Sequence, residues 1–142
     1  MFKIIVFTHG ELSESLKKTA ELISGPNDNI EYYGIPLGCD TRTVLTKVSA
    51  SINASEKVGM EVLLLTDLFF GTPFNLLMSL VRDHKFGHIT GVNLPMLLEA
   101  TAMQNQNELS LKEVVSELVR KSRDAIDDCD EFVQNILRKM GG

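Results

Sequence analysis

Short apolar runs rich in β-branched residues alternate along this chain with longer stretches of helical periodicity. The alternation is typical of βα units around a mainly parallel sheet. The run 62–65 is apolar at every position, as expected of a central strand covered on both faces. We therefore predict an α/β fold with an open, mainly parallel four-stranded sheet and helices on both faces. The predicted strands are Phe2–Thr8, Ile30–Pro36, Glu61–Thr66 and His88–Asn93.

Start and stop signals predict helices between and after the strands. The polar segment Gln104–Asn107 predicts a loop, and the capping box from Ser110 to Glu113 predicts that the last helix begins there. Helical spacing then continues to Leu137, although acidic residues around Asp127 could interrupt it. A first helix is predicted from Leu12 to the stop signal Gly25-Pro26, and Asp40 is the predicted cap of a second. Pro73 begins a third helix, whose apolar side chains at helical spacing are Phe74, Leu77, Leu80 and Val81, and Pro95 begins a short fourth helix.

Length and charge limit the classes of protein to consider. The 142 residues predict a single domain spanning 1–142. With 14 basic against 19 acidic residues the formal net charge is -5, which would repel duplex DNA, so no nucleic acid partner is expected. The opening apolar run Met1–Phe7 is too short for a signal peptide or a membrane span. We expect a cytoplasmic protein without direct membrane insertion.

The sequence carries no metal or cofactor signature. Cys39 and Cys129 lie far apart and belong to no metal-ligand spacing, which predicts buried free thiols. His84 and His88 are separated by Gly87, so a solvated turn is favoured over a zinc pair on one helix. Neither GxxxxGK[ST] nor GxGxxG occurs, and no nucleotide-binding loop is predicted.

Two candidate catalytic residues follow predicted strands. His9 comes after the first strand and Asp67 after the third, and ligands of parallel α/β sheets bind beyond the carboxyl ends of the strands. If these strands are neighbours, the two side chains lie together at one edge. A carboxylate that accepts a hydrogen bond from Nδ1–H orients the imidazole and raises the basicity of Nε2. The pair is then prepared for nucleophilic attack on phosphorus.

The glycine-containing turns beside this pair could bind a phosphoryl group. Gly71 permits a close backbone approach, and Thr72 offers a hydroxyl and an amide at the start of a helix. The Gly10 turn offers further amides directly after His9. Neither loop contains Lys or Arg, which suits a site that holds a phosphoryl group briefly.

Each of these residues also has a structural interpretation. A histidine at a strand end is often incidental, Asp67 could be a cap, and Gly-Thr-Pro is a common turn. Phe69 and Phe70 fit a core position or an exposed patch where a protein partner docks. The joint placement of the set at corresponding strand ends is what favours a site.

Three motifs carry a resemblance to a known family. They are His9-Gly10, the segment from Asp67 to Asn75 (DLFFGTPFN) and the segment from Gly91 to Leu97 (GVNLPML). In their order and spacing the sequence resembles, from Met1 to about Met103, the enzyme IIA domain of the mannose/fructose/sorbose family of the bacterial phosphotransferase system (PTS).

The resemblance implies a phosphoryl carrier. It would receive phosphate from the protein HPr and pass it to the IIB component, which serves a membrane IIC/IID permease for a mannose/fructose/sorbose-type sugar. His9 matches the residue phosphorylated at Nε2, Asp67 the carboxylate that orients it, and Thr72 the hydroxyl residue that meets the phosphoryl group. Relatives bind no metal or nucleotide and are usually homodimers.

Two departures from the family pattern stand out. Relatives commonly carry Gly-Gly-Ser/Thr-Pro, whereas Phe70 fills the first glycine position here, so loop geometry is expected to differ. Relatives also exchange a short C-terminal edge strand within a dimer. The tail of this chain keeps helical spacing past Asp124, which leaves that exchange open.

Three alternative functions are considered. The phosphotransferase subunit of dihydroxyacetone kinase shares the fold and chemistry, and a non-catalytic regulatory domain could retain the fold. A two-component receiver would use Asp67 as the phosphate acceptor, but it requires an acidic pair after the first strand, where Thr8-His9-Gly10 stands.

Overall fold

The computed structural model describes residues 1–106 and 108–142. Strands and helices alternate along it from β1 to α4, and two further helices follow. Asn107, the last residue of the predicted polar loop, lies outside the described residues. The elements are β1 (Phe2–His9), α1 (Leu12–Ser24), β2 (Ile30–Ile35), α2 (Thr41–Lys57), β3 (Glu61–Thr66), α3 (Thr72–Met78), β4 (Gly87–Thr90), α4 (Leu94–Met103), α5 (Leu111–Asp124) and α6 (Cys129–Gly141).

The four strands form one parallel sheet in the order β2-β1-β3-β4, which confirms the predicted fold class. β1 and β3 occupy the two central positions. Ile4 pairs in register with Ile30 on one side and with Leu63 on the other, and Leu65 pairs with Ile89. The first and third strands are therefore neighbours, as the candidate site requires.

Helices cover both faces of the sheet, because alternate side chains of each strand point to opposite sides. Ile4 and Leu63 belong to a buried cluster that includes residues of α1, α4 and α5. Ile5 and Leu64 belong to the cluster on the other face, which includes residues of α2 and α3. This two-sided burial explains why β3 reads as an unbroken apolar run.

Several predicted helix boundaries are confirmed. The Asp40 side chain accepts a hydrogen bond from the Arg42 amide at 3.0 Å and caps α2. Ser110 and Glu113 form the predicted capping box of α5, and Gly25 ends α1. These signals act locally, so the sequence alone sufficed to find them.

Two elements are shorter than predicted. β4 ends at Thr90 and not at residue 93, because Gly91 turns the chain at a φ of +81°. Asn93 then caps α4 by accepting from the Met96 amide at 2.9 Å. α3 ends at Met78, so the apolar stripe predicted for it extends beyond the helix.

The predicted last helix is two helices. α5 ends at Asp124, and the Asp128 side chain caps α6 by accepting from the amides of Asp130 and Glu131. The acidic residues therefore lie at a helix break, where a short side chain satisfies free amides. Apart from Asn107, every residue after α4 lies in α5, in α6 or in connecting and terminal segments, and the structure describes no fifth strand.

The two cysteines are more exposed than the sequence predicted. Cys129 is exposed and Cys39 is only half-buried, so the prediction of two buried thiols is wrong. Cys129 belongs to α6, a helix that buries none of its residues.

Within residues 1–106 and 108–142, no helix has the length and apolar character needed to cross a membrane. The same residues contain no group of three or more side chains suited to holding a metal ion.

A buried glutamine anchors the amino-terminal edge of the sheet. Gln104 is 2% exposed, although the sequence placed it in a polar loop. Its Nε2 donates to the Phe2 carbonyl at 2.8 Å and to the Asn29 carbonyl at 3.2 Å. Its Oε1 accepts from Asn27 Nδ2 at 2.7 Å. One side chain thus joins α4 to β1 and to the segment before β2.

We predict that Gln104→Ala lowers the free energy of unfolding by about 2–4 kcal/mol, because it leaves buried polar groups without their partners. Urea unfolding measures the change. Gln106→Ala is the matched control, since Gln106 is exposed, and it should change stability by less than about 0.5 kcal/mol. Equal effects of the two substitutions would contradict the anchoring role.

Candidate functional site

The pairing of β1 with β3 brings His9 and Asp67 to the same edge of the sheet. Phe7 pairs in register with Thr66, so each of the two residues lies just past the end of that pairing. The Asp67 Oδ2 atom lies 2.8 Å from His9 Nδ1 and also accepts from the His9 amide at 3.0 Å. The other oxygen, Oδ1, accepts from the Leu68 amide at 3.0 Å. The predicted pair is therefore in direct contact.

This contact determines which nitrogen of the His9 ring carries the hydrogen. An ionised carboxylate only accepts hydrogen bonds, so Nδ1 carries the hydrogen and the lone pair of the neutral ring lies on Nε2. The His9 side chain is 45% exposed while that of Asp67 is 15% exposed. No residue of the described chain hydrogen-bonds to Nε2. The arrangement presents a basic, oriented nitrogen to solvent.

The turn after His9 is held by backbone contacts. The Gly10 amide donates to the Ile35 carbonyl at 2.9 Å, and Thr8 Oγ1 accepts from the Ser13 amide at 2.8 Å. The Gly10 amide is thus already occupied, so binding of a phosphoryl group by this turn, which stays a prediction, would use the amides that follow Gly10. A Cβ at Gly34 would lie 2.1 Å from the Gly10 carbonyl oxygen, so this part of β2 must be glycine.

Gly71 leaves room for the His9 ring. A Cβ built on Gly71 would lie only 2.8 Å from His9 Cε1. The Gly71 amide donates to the Leu68 carbonyl at 3.1 Å and is therefore not a free donor. Thr72 is exposed, and its hydroxyl has no hydrogen-bond partner among the residues that the structure describes. The Thr72 hydroxyl is therefore available, and phosphoryl binding at this turn stays a prediction.

Phe70 has a backbone conformation that glycine adopts without strain. Its φ is +58°, the only positive φ of a non-glycine residue in the described chain. An L-residue there costs about 1–2 kcal/mol. Asn75 Nδ2 donates to the Phe70 carbonyl at 3.0 Å and supports this turn. The departure from the family pattern therefore places a phenylalanine in a left-handed turn.

Aromatic side chains form a cluster beside His9. Phe69 and Phe70 are exposed, Phe70 at 70%, so the core interpretation is wrong for both, and docking of a protein partner on them stays a prediction. Their ring centroids lie 4.2 Å apart, and Phe74 lies 4.9 Å from Phe69. The His88 ring lies 5.4 Å from that of Phe74. We call Phe69, Phe70, Phe74 and His88 the aromatic cluster.

Neither His84 nor His88 is a solvated turn residue, so that prediction is wrong. His84 Nδ1 lies 3.0 Å from Glu56 Oε2 and joins the loop before β4 to α2. His88 belongs to β4, and its Nε2 lies 3.0 Å from Thr66 Oγ1, one residue before Asp67. Burial lowers the pKa of His88 from 6.5 to about 4. His88 thus supports the site loop as a neutral ring, and no sequence signal distinguished it.

We predict that Gly71→Ala displaces the His9 ring with little loss of stability. The φ of Gly71 is -71°, which alanine adopts freely, so the cost is steric: the new Cβ would lie 2.8 Å from His9 Cε1 and 3.1 Å from the Leu68 carbonyl oxygen. The ¹⁵N shifts of the His9 ring in NMR spectra should show loss of the Nδ1–H tautomer preference. Gly59→Ala is the control, because its φ of +71° adds backbone strain far from the ring. Unchanged His9 shifts in Gly71→Ala would contradict the packing.

We predict that His88 makes stability depend on pH. Because its pKa is lower in the folded protein, the unfolded chain binds more protons, and stability falls as pH drops from about 6.5 towards about 4. Between about pH 7 and about pH 5, the wild type should lose about 2 kcal/mol more than His88→Phe. Urea unfolding at both pH values measures this, and equal losses would contradict a buried neutral imidazole.

The sequence is similar to those of known components of the phosphotransferase system. The chain is 34% identical over 124 residues to the PTS system mannose-specific EIIAB component of Escherichia coli (strain K12), covering 87% of this chain. It spans 38% of the length of that protein. It is 28% identical to the PTS system fructose-specific EIIA component of Bacillus subtilis (strain 168), covering 96% of this chain and 92% of the relative.

Solved structures share the fold. Phosphotransferase system component EIIA from Streptococcus agalactiae superposes with a TM-score of 0.82 at 28% identity, covering 92% of this chain and 99% of that one. The mannose/sorbose specific IIA subunit from Enterococcus faecalis, at 22% identity, shares the fold with a TM-score of 0.77, covering 89% of this chain and 93% of that one. A family model described as "PTS system fructose IIA component" matches residues 3–119. The chain therefore belongs to the mannose-type enzyme IIA (EIIA-man) family of the sugar-transporting phosphotransferase system.

Proposed function

We propose that this protein is a phosphoryl carrier that accepts phosphate from phospho-HPr on His9 and passes it to a IIB component. Membership of the EIIA-man family supports a phosphotransfer role in sugar uptake. The observation that carries the finer proposal is the 2.8 Å contact between His9 Nδ1 and Asp67, which leaves Nε2 oriented and exposed. Neutral imidazole is nucleophilic near neutral pH without a further base.

On this chain, the phosphoryl transfer uses the side chains of His9 and Asp67. The Nε2 lone pair of His9 forms the new N–P bond while the bond from phosphorus to the nitrogen of HPr breaks. The phosphorylated ring carries a positive charge that the Asp67 carboxylate stabilises. In the onward step a nucleophile of the IIB component attacks phosphorus, and the bond electrons return to Nε2. The ring needs no external proton donor, because Asp67 keeps the hydrogen on Nδ1.

The surrounding loops support this role. Thr72 offers a hydroxyl at the start of α3 that no described residue hydrogen-bonds, Gly71 gives the His9 ring its space, and the Gly10 amide holds the turn after His9 in place. Neither loop contains Lys or Arg to form a strong ion pair with the phosphoryl group. Weak retention suits a group that must be handed on, because uniform tight binding would raise the barrier to the second transfer.

The partners belong to the same proposal. The carrier touches only the phosphoryl group and other proteins, so the sugar of the mannose/fructose/sorbose type would be selected by the membrane IIC/IID permease. The resemblance also implies a homodimer, which stays a prediction here.

We predict that incubation with phosphoenolpyruvate, enzyme I and HPr adds one acid-labile phosphoryl group, mapped by mass analysis to the peptide containing His9. His9→Ala should accept none, because the attacking nitrogen is lost. Asp67→Asn should still be phosphorylated but transfer about 10–100-fold more slowly, since an amide holds the ring less well and stabilises its charge less. A fully active Asp67→Asn would contradict the orienting role.

A matched control is Asp28→Asn, which makes the same chemical change at an exposed residue before β2, at the opposite edge of the sheet. It should transfer at the wild-type rate. Adding a mannose-type IIB component or dihydroxyacetone kinase to the phosphorylated protein separates the two acceptors, and we expect transfer to IIB. A folded wild-type chain that takes no phosphate from HPr would instead favour a regulatory domain.

A further inference from the structure

Phe70 is a strained and exposed residue beside the candidate site. Its φ of +58° lies in the left-handed region, which is unfavourable for a residue with a Cβ, and its side chain is 70% exposed. The next residue, Gly71, packs so closely against His9 that a Cβ there would lie 2.8 Å from Cε1. A ring that stays largely in solvent does not offset backbone strain by packing in the core. Strain of this kind is typical of residues that serve function and not folding.

Neighbouring side chains hold the Phe70 ring in place. Its centroid lies 4.2 Å from that of Phe69 and 5.5 Å from that of Phe74, which it meets edge-on at 74°. Asn75 Nδ2 donates to the Phe70 carbonyl at 3.0 Å and supports the turn. An exposed aromatic ring that is already ordered loses little conformational entropy on binding, and such rings often supply most of the energy of a protein interface. The loop therefore presents a rigid apolar projection.

The surface around this projection is apolar and uncharged. Leu68 and Phe69 are 59% and 57% exposed, and residues 68–75 include no charged side chain. Because Gly71 contacts the His9 ring, a protein that brings phosphorus to Nε2 or removes it must approach this loop. The part of that protein that faces Phe70 is expected to be an apolar recess, since a charge there would be desolvated without a partner.

The identity of the residue at position 70 indicates which partner the ring serves. Relatives commonly carry glycine there, so the ring is not required for an interaction that the whole family shares. We propose that Phe70 determines specificity for the IIB component that works with this chain, by inserting its ring into an apolar recess on that protein. The inference rests on the proposed function, because it concerns the second of the two transfers. A IIB component adapted to glycine lacks the recess and meets the ring as a steric obstacle.

Binding of the unphosphorylated chain to its own IIB component, followed by NMR titration, tests the contact without any phosphoryl transfer. Phe70→Gly and Phe70→Ala both remove the ring, and each should weaken binding at least about tenfold. Phe70→Gly also relieves the strain, so it should unfold at a higher urea concentration than Phe70→Ala. Phe132→Ala is the matched control, because it removes an exposed phenyl ring from α6, and it should change binding less than about twofold.

Two binding results would overturn the proposal. One is a wild-type chain that does not bind its IIB component. The other is a Phe70→Gly variant that binds as tightly as the wild type, because the ring would then contribute nothing to the contact.

Transfer rates test the specificity. Phe70→Gly should raise the KM for its own IIB component at least about tenfold with little change in kcat, whereas acceptance from phospho-HPr should slow by less than about threefold. A IIB component whose own IIA partner carries glycine at this position should take phosphate faster from Phe70→Gly than from the wild type. Equal losses toward phospho-HPr and IIB would contradict the specificity role. A wild type that takes no phosphate from phospho-HPr would refute the carrier function, and the NMR titration would still decide whether Phe70 contacts IIB.

Discussion

The parallel pairing of β1 with β3 is the interaction on which the candidate site depends. The two strands are far apart in sequence, but their register brings the residues that follow Phe7 and Thr66 to one edge. Asp67 then accepts both the amide and the Nδ1–H of His9. Because one oxygen holds backbone and side chain together, the ring orientation is set by the sheet and not by a flexible loop.

The sequence predicted the parts of the fold that follow from local chemistry. Periodicity located all four strands, and the residues at helix starts, such as Asp40 and Ser110, formed the expected caps. The adjacency of His9 and Asp67 was also predictable, because parallel connections allow few topologies and strand ends carry the functional residues. The family resemblance agreed with that inference and is confirmed by the comparisons.

The errors concern residues whose environment depends on distant parts of the chain. Gln104 reads as a loop residue, yet its amide finds partners in β1 and before β2. His88 was predicted to begin a strand but to be solvated, yet burial lowers its pKa and its ring contacts Thr66. The length of β4 depended on the conformation of Gly91. No pattern within a short window contains this information.

Gly34 of the edge strand β2 packs directly against Gly10, which follows His9 at the candidate site. The Gly10 carbonyl occupies the position that a side chain at residue 34 would fill, so two main chains lie in direct contact there. No alternative side chain can be accommodated by repacking, because backbone atoms cannot change rotamer. Selection at residue 34 would thus be as strict as selection at the histidine itself, although residue 34 carries no reactive group. A mutational scan that scored activity would therefore identify Gly34 as an essential position, although it has no side chain that could take part in the reaction.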